Sequence, residues 1–540
     1  MVEHAAHIRS VKGSSPLAAI FPHRHPNPVF CSYIQFMPST NDRLTARGNR
    51  GGDRYEWTAL SVTTVGALLA SVQGSALTIA LPEIMTGLRA EFLTIMWVLL
   101  GYLLITTALV PVIGRMADMF GRKNLYNAGF AIFTLGSLLA GLSQPQFHAW
   151  DMVASRVIQG VGGALLFTNS TAIVTDAFEH GRIGFGLGVN QIAAAAGFLL
   201  GPVVGGLLTA VSWRWVYLVN VPLGVFGTVW GMLRLKEPAA PAASQTFDWP
   251  GSITFTFGLG AVLLALSLLA FPLLPLSVVM VILACGVIGL AAFFAVEVRA
   301  SQPMLDLKLF QDRLFSFASL ANALNGLARG AVLFVLIFFL QGPYGKDPFQ
   351  AGIMMAPFGA AFMLVGPFSG YLSDKRGSRG LATTGLLVSA VGLYGLSRVG
   401  AATPYWLIAL SMVLMGGGSG LFSSPNTNTI MSSVPREHRG SAAGIRTMLM
   451  NTGQMLSITM AFPLVLSRIP QDVMFKIFLY GGGMGGAPRA LDSFMAGLHE
   501  VFWISVAITL VAALVSAFQP SHKPAPSREM RPDDQGSSSE

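Results

Sequence analysis

Long stretches without a charged side chain constrain this chain more than any other feature of its sequence. Only 11% of its 540 residues are charged, 53% are apolar, and the mean hydropathy is +0.60. A helix needs about 20 mostly apolar residues to cross the roughly 30 Å hydrocarbon core of a bilayer. The pattern therefore predicts an all-helical protein that crosses a membrane many times.

Charge-poor stretches predict fourteen transmembrane helices. They cover residues 58–81, 94–113, 125–143, 149–173, 183–209, 215–234, 250–271, 275–297, 316–340, 349–373, 380–398, 404–432, 440–467 and 498–518. The polar segments 1–57 and 519–540 predict disordered tails, because neither holds enough apolar residues to fold alone. Translation from Met37 is an alternative start.

The distribution of Lys and Arg predicts the orientation. With both tails in the cytoplasm, the short outer loops hold only Arg89, Arg214, Lys346 and Arg398, and the inner loops hold most of the others. This bias is typical of membrane proteins with a positively charged inner side. The net charge of +9 is therefore attributed to membrane topology, and no basic stripe indicates nucleic-acid binding.

The charged segment GRMADMFGRK, residues 114–123, recurs 256 residues later as GYLSDKRGSR. At that offset, nine of the thirteen glycines between 111 and 197 fall on another glycine, where composition would give one or two. The sequence therefore predicts two six-helix halves in parallel repeat, at 58–234 and 316–518. Residues 235–315 form a linker with two inserted helices. Substrate binding near the midplane between such halves is typical of transporters.

Four motifs resemble those of one transporter family. GRMADMFGRK resembles the loop between helices two and three of the major facilitator superfamily, and RVIQGVGG (156–163) resembles its helix-four motif. GFLLGPVVGG (197–206) resembles the helix-five antiporter motif, and WRWVYLVNVPLG (213–224) is also similar. Over residues 58–518 the chain resembles the fourteen-helix drug:proton antiporter group. The resemblance implies a multidrug-efflux exporter of the plasma membrane that works by alternating access, with a proton gradient as its energy source and no cofactor.

The two charged loops predict one gate in each half, at the cytoplasmic side. Glycines there allow close helix approach and a tight turn, and the aspartate can accept from a helix N-terminus or an arginine. The residues assigned to these gating loops are Gly114, Asp118, Gly121, Arg122, Lys123, Gly370, Asp374, Gly377 and Arg379. A simple anchor of positive charge is the alternative.

Helices four and five carry the next two groups. Gly197, Gly201 and Gly205 share a helix face, Gly206 follows, and Pro202 permits a bend, although ordinary helix packing would use the same residues. In helix four, the resemblance associates the arginine with proton movement, and packing against carbonyl groups is the alternative. The residues assigned to this proton path are Asp151, Arg156, Gln159 and Gly160.

Polar side chains inside predicted helices indicate a substrate cavity, because they are costly in a bilayer. Arg329 lies near the midplane with no carboxylate at similar depth, so a positive potential would favour neutral or anionic amphipathic substrates. Arg446, close to its helix start, is expected to reach the inner surface. The residues assigned to the cavity are Gln73, Asn190, Asn322, Asn325, Arg329, Asn426, Asn428, Arg446 and Asn451.

Position 73 departs from the resembled antiporters, many of which carry Asp there. A buried Asp can take up a proton, whereas Gln cannot titrate, so any coupling proton must use another group.

Other classes of protein are disfavoured by what the sequence lacks: two isolated cysteines form no metal spacing, the histidines are scattered, and no GxxxxGK[ST] motif for ATP occurs. An enzyme is therefore not expected. An importer or uniporter of a small organic solute on the same fold remains the alternative.

Overall fold

The structure is a computed structural model that describes residues 50–178, 182–236, 247–300, 304–305, 307–346, 348–435, 438–466 and 488–520. Its long helices are α1 (Arg50–Gly87), α2 (Phe92–Phe120), α3 (Arg122–Gly141), α4 (Trp150–Ala177), α5 (Ile183–Val211), α6 (Trp215–Leu218 and Asn220–Arg234), α7 (Trp249–Ala270), α8 (Leu276–Glu297), α9 (Arg313–Gln341), α10 (Pro348–Met354 and Ala356–Arg376), α11 (Ser378–Leu396), α12 (Tyr405–Ser432), α13 (Arg439–Leu466) and α14 (Pro488–Ala517).

The helices confirm the all-helical class, since each predicted segment falls on one of them. Ten of the described helices are long and apolar enough to cross a membrane. Fourteen crossings remain a prediction, as do the boundaries of the halves and the linker. Residues 1–49 and 521–540 of the predicted tails lie outside the described residues.

The first helix begins earlier than expected, at Arg50 rather than at residue 58. Its first described side chains bond to other parts of the bundle: Glu56 pairs with Arg182 at 3.0 Å, and the Tyr55 hydroxyl donates to the carbonyl of Lys236. The tail predicted for residues 1–57 is therefore too long at its end. Residues 50–57 are mostly polar or glycine, so the apolar pattern did not indicate that they belong to the helix.

The packing of glycines repeats at the offset found in the sequence. A Cβ added to Gly197 of α5 would lie 2.7 Å from the Cβ of Ser71 on α1. A Cβ added to Gly453 of α13 would lie 2.7 Å from the backbone nitrogen of Leu327 on α9, and both partners are 256 residues further on. The offset therefore extends into α1 and α9, which supports the parallel repeat.

Two seams join the halves: α2 packs on α13, and α5 packs on α10. A Cβ on Gly188 would lie 2.8 Å from Cα of Pro367, and one on Gly444 would lie 3.1 Å from Cα of Pro111. The second pair is the first pair shifted by 256 residues with the halves exchanged. Below, the inner end is the end of the bundle that carries residues 114–123.

The inserted helices α7 and α8 pack on each other, and α7 also contacts both α2 and α13. Near the inner end, Phe255 of α7 shares an apolar cluster with Val112 of α2 and Ala442 of α13. The insert therefore lies over the α2–α13 seam and contacts both halves there.

Candidate functional site: the inner seam and the polar residues of the helices

Asp118 lies in the last turn of α2 and binds the first turn of α13. Its Oδ1 accepts the backbone N–H of Gly440 at 3.0 Å. Its Oδ2 accepts the backbone N–H of Ser441 at 3.0 Å and the Ser441 hydroxyl at 3.1 Å. A helix N-terminus presents unpaired N–H groups and a partial positive charge, so it favours a carboxylate. These bonds join the two halves and require a closed inner end.

Charged side chains extend this contact. Arg122 donates to Asp118 at 2.9 Å and also pairs with Asp176 at the end of α4. Arg439, the first residue of α13, lies 3.7 Å from Asp176 and donates to the carbonyl of Thr175. Asp176 and Arg439 were not among the residues predicted for the gate. The sequence did contain one signal for Asp176: it is an acidic residue in the last turn of α4, on the side of the membrane where the basic loops lie.

Glycines allow the two backbones to approach at this seam. A Cβ on Gly114 would lie 2.5 Å from the carbonyl oxygen of Gly440, and one on Gly440 would lie 2.7 Å from that of Gly114. The turns that follow α2 and α10 place Gly121 at φ +92° and Gly377 at φ +87°, where other residues are strained. The backbone roles predicted for these glycines therefore agree with the structure.

A side chain of the second gating loop bonds to a neighbouring helix of the same half. Asp374 accepts the side-chain amide of Asn428 at 2.9 Å, and the same amide lies 3.3 Å from the hydroxyl of Ser373. Asn428 was predicted to line the cavity. Its amide is bonded to the inner-end carboxylate, and a substrate contact for it stays a prediction. Arg379 is exposed beside this loop.

The helix-five glycines pack against α1. A Cβ on Gly201 would overlap with Ser75, and one on Gly205 would lie 2.8 Å from Cα of Ala76. The Ser75 hydroxyl donates to the carbonyl of Gly197 at 3.3 Å. Close packing of this kind is typical of small residues at membrane helix interfaces.

The neighbouring face of α5 reaches the other half. A Cβ on Gly206 would lie 3.0 Å from the ring of Phe349 in α10. The motif therefore lies where α5 contacts α1 on one side and α10 on the other. The side chain of Pro202 lies outside the described residues, so the predicted bend stays a prediction.

Arg156 of α4 is buried, with 2% of its surface exposed. Its Nε donates to the carbonyl of Val98 at 3.0 Å, its Nη1 donates to Gln159, and its guanidinium lies 4.3 Å from the ring centre of Tyr102. Gln159 in turn donates to the Ser137 hydroxyl at 2.6 Å. This environment matches the packing alternative, in which the arginine is bonded to neighbours on α2 and α4.

Asp151, predicted to act beside Arg156, binds backbone instead. Its carboxylate accepts the N–H groups of Gln144 at 2.7 Å and Met152 at 2.8 Å. Within the described residues it forms no ion pair with Arg156. Gly160 lies against α2, where an added Cβ would be 3.0 Å from the carbonyl of Tyr102.

Gln73 and Arg329 occupy equivalent positions in α1 and α9. Gln73 is 2% exposed; its Oε1 accepts from Asn220 of α6, and its Nε2 has no partner among the described residues. Arg329 is half-buried about 24 Å along α9, and its guanidinium lies 6.0 Å from the ring centre of Phe362. No carboxylate of the described residues pairs with it. Asn220 was not among the predicted site residues, although it belongs to the motif WRWVYLVNVPLG.

Three further predicted cavity residues bond helices of the second half together. Asn322 donates to the carbonyl of Arg446 at 2.8 Å, the Arg446 Nε donates to the Thr427 hydroxyl at 3.0 Å, and Asn426 donates to the carbonyl of Ala318 at 3.1 Å. Arg446 is only 7% exposed. The expectation that it reaches the inner surface is therefore wrong, because its guanidinium turns towards α12.

The remaining predicted cavity residues differ in their surroundings. Asn190 of α5 donates to the Ser170 hydroxyl at 3.2 Å and leaves its Oδ1 without a partner among the described residues. Asn325 and Asn451 are both buried, on α9 and α13. A direct substrate contact for these residues stays a prediction.

Comparison with known proteins gives matches over most of the chain. The Major Facilitator Superfamily profile matches residues 63–249 and 318–538. The riboflavin transporter RibZ of Clostridioides difficile is 26% identical over 86% of this chain and 98% of its own length. The tetracenomycin C resistance and export protein of Streptomyces glaucescens is 27% identical over 90% of this chain and 95% of its own length.

A solved structure shares the fold. The proton:xylose symporter XylE, bound to 6-bromo-6-deoxy-D-glucose, superposes with a TM-score of 0.59 at 16% identity. The superposition covers 88% of this chain and 98% of the symporter. At that identity the similarity concerns the helical architecture alone.

Proposed function

Because the chain belongs to the Major Facilitator Superfamily, we propose that it is a proton-coupled exporter of neutral or anionic amphipathic compounds. The family makes it a multi-pass secondary transporter of small substrates and not an enzyme. Proton coupling, outward direction, substrate charge, placement in the plasma membrane with a cytoplasmic inner end, and independence from ATP belong to the proposal.

The observation that carries the proposal is the bond between Asp118 and the N-terminus of α13. It joins the two halves at the inner end, and its two sides belong to different halves. Alternating access requires such a contact, present in one state and absent in the other. The glycines of helix five support outward transport, since their motif resembles that of antiporters. A relative named as an export protein points the same way.

Substrate charge is inferred from Arg329. A half-buried guanidinium near the midplane, beside an aromatic ring and without a carboxylate partner in the described part of the chain, makes its surroundings positive. In a low dielectric a positive charge repels cations and attracts anions or electron-rich groups. The ring of Phe362 adds an apolar face for the rest of an amphipathic molecule. We therefore expect anionic and neutral compounds to be preferred over cationic ones.

The test is collapse of a pH gradient in sealed inverted vesicles that contain the protein, challenged with matched cationic, neutral and anionic amphiphiles. We expect neutral or anionic compounds to collapse the gradient, and Arg329→Ala to reduce the response to anions at least tenfold. Arg329→Lys keeps the positive charge, so it should retain much of this response. Gln73→Asp adds a group that can titrate and shows whether a proton site in α1 changes the coupling.

Two results would contradict the proposal. A gradient that no compound collapses, with radiolabelled substrate still crossing the membrane, would indicate a uniporter. A response to cations alone, unchanged in Arg329→Ala, would show that Arg329 is structural and that the inferred substrate charge is wrong.

A further inference from the structure

Two carboxyl groups meet at the inner end of the inserted helices. Asp248 precedes α7, and its Oδ1 accepts the N–H of Gly251 at 2.9 Å. Glu297 is the last residue of α8 and is 4% exposed; its Oε1 accepts the N–H of Leu305 at 2.5 Å. Each carboxyl group therefore uses one oxygen to bind backbone.

The other two oxygens lie on the same side of Gly251. A Cβ on Gly251 would overlap with Asp248 Oδ2 and would lie 3.0 Å from Glu297 Oε2. Neither oxygen has a donor among the described residues, although both are buried. Both oxygens therefore lie close to the same point beside Gly251. Ionised carboxylates only accept, so a hydrogen bond between these two oxygens requires that one of them carries a proton.

The charged neighbours of this pair are few. Arg115 of α2, itself 6% exposed, is the basic side chain that acts electrostatically on Glu297, and Asp248 is the acidic one. Arg115 belongs to the first gating loop. No other charged group of the described residues acts on Glu297 from α7, α2 or the Met304–Leu305 segment. One cation cannot neutralise two carboxylates whose unbonded oxygens are both buried, and a shared proton removes the second negative charge.

We propose that Asp248 and Glu297 form a proton-binding site on the insert, which holds one proton between the two carboxyl groups while the inner end is closed. The insert covers the α2–α13 seam, with Phe255 packed beside both helices. When α2 and α13 separate, the insert loses packing on one side and water reaches the carboxyl groups. Both then ionise, and the proton leaves at the inner side.

The sign of the effect follows from this linkage. The closed state holds one more proton than the open state, so a low pH at the inner side favours closure and a high pH favours opening. One proton changes the ratio of the two states by up to tenfold per pH unit. The inference goes beyond the proposed function, since it requires neither a substrate nor a direction of transport.

The first test is infrared spectroscopy of the full chain in bilayers, which detects a protonated carboxyl group directly. We expect a carboxylic-acid band near neutral pH that disappears in Asp248→Asn and in Glu297→Gln, because each amide can donate the bond that the proton supplied. Asp312→Asn is the matched control: Asp312 caps α9 as Asp248 caps α7, but it is exposed. Absence of the band in the wild type, or its survival in both amide variants, would overturn the proposal.

The second test follows the inner end itself. Spin labels at Asn124→Cys and Arg376→Cys, in a background of Cys31→Ser and Cys285→Ser, lie at exposed inner positions of the two halves. We expect the fraction of the longer, open distance to rise with pH in the wild type. In the double variant Asp248→Asn with Glu297→Gln it should change less than twofold over the same range.

The double variant is expected to fold, because the Asn and Gln side chains can still form a hydrogen bond to each other. A pH response equal to that of the wild type in a well-folded double variant would refute the proposal. Because these measurements use no transported compound, their failure would leave the proposed export function untouched, and a failed export assay would leave them interpretable.

Discussion

Replacement of Asp118 by Asn should shift the protein towards a state that is open at the inner end. The carboxylate accepts two backbone N–H groups and one hydroxyl from α13, and it pairs with Arg122. An amide keeps one accepting oxygen, loses the charge, and turns an NH₂ group towards donors. In the open state water replaces these bonds, so the substitution costs little there.

The magnitude follows from the bonds lost. A hydrogen bond to a charged group contributes about 1.5–3 kcal/mol. Asn retains part of the four contacts, so we expect a net loss of about one such bond, or about 1.5–3 kcal/mol, from the closed state alone. Each 1.4 kcal/mol is a factor of ten, so the open-to-closed ratio should rise by about 10- to 150-fold.

The spin-label pair at Asn124→Cys and Arg376→Cys measures this ratio from its distance distribution. Ser441→Ala removes one hydroxyl donor and should give a smaller shift, and Asp312→Asn should give none. A distribution in Asp118→Asn that matches the wild type, in protein of normal stability, would refute the role given to the Asp118 contact with α13.

Two further predictions concern the packing of the first half. Gly201→Ala should lower the melting temperature in detergent by several degrees, because the new methyl group overlaps with Ser75, whereas Gly74→Ala on α1 meets open space and should change it little. Asn220→Leu should destabilise the protein by about 1–3 kcal/mol, because it leaves the buried amide of Gln73 without its partner. Replacing both Gln73 and Asn220 by Leu should recover part of that loss of stability, because no unpaired amide is left. A double variant as unstable as Asn220→Leu, or as unstable as the sum of the two single variants, would contradict the pairing.

The backbone arrangement was largely predictable from the sequence. Glycine positions that recur at offset 256 mark places where helices are in close contact. Such a contact requires a glycine whatever the neighbouring residues are, so it can be recognised in the sequence. The contacts of Gly188 with Pro367 and of Gly444 with Pro111 therefore appear as a matched pair. The length of the apolar segments predicted the helices, because the thickness of the bilayer sets that length and tertiary structure hardly changes it.

Side-chain partners were less predictable, because they depend on rotation of each helix about its axis. Asn428 was assigned to the cavity, and the sequence did not indicate its bond to Asp374 near the inner end. Arg446 was expected at the surface and turns towards Thr427. A polar residue inside a membrane helix needs a partner, but the sequence does not say whether that partner is a substrate, water or the next helix.

The two gating loops are alike in backbone, and each holds one aspartate and three basic residues, but the basic residues do not all stand at equivalent positions. The glycine and aspartate positions of the first loop recur in the second, but Arg122 and Asp176 correspond to Ser378 and Ser432. Among the described residues, the ion pairs of Arg122 and Arg439 with Asp118 and Asp176 lie at the α2–α13 seam. The insert covers that same seam and brings the carboxyl groups of Asp248 and Glu297 close to Arg115. The Arg122–Asp176 ion pair is therefore built from residues that the repeat does not duplicate, and proton-dependent control of the inner end is expected at the seam that the insert covers.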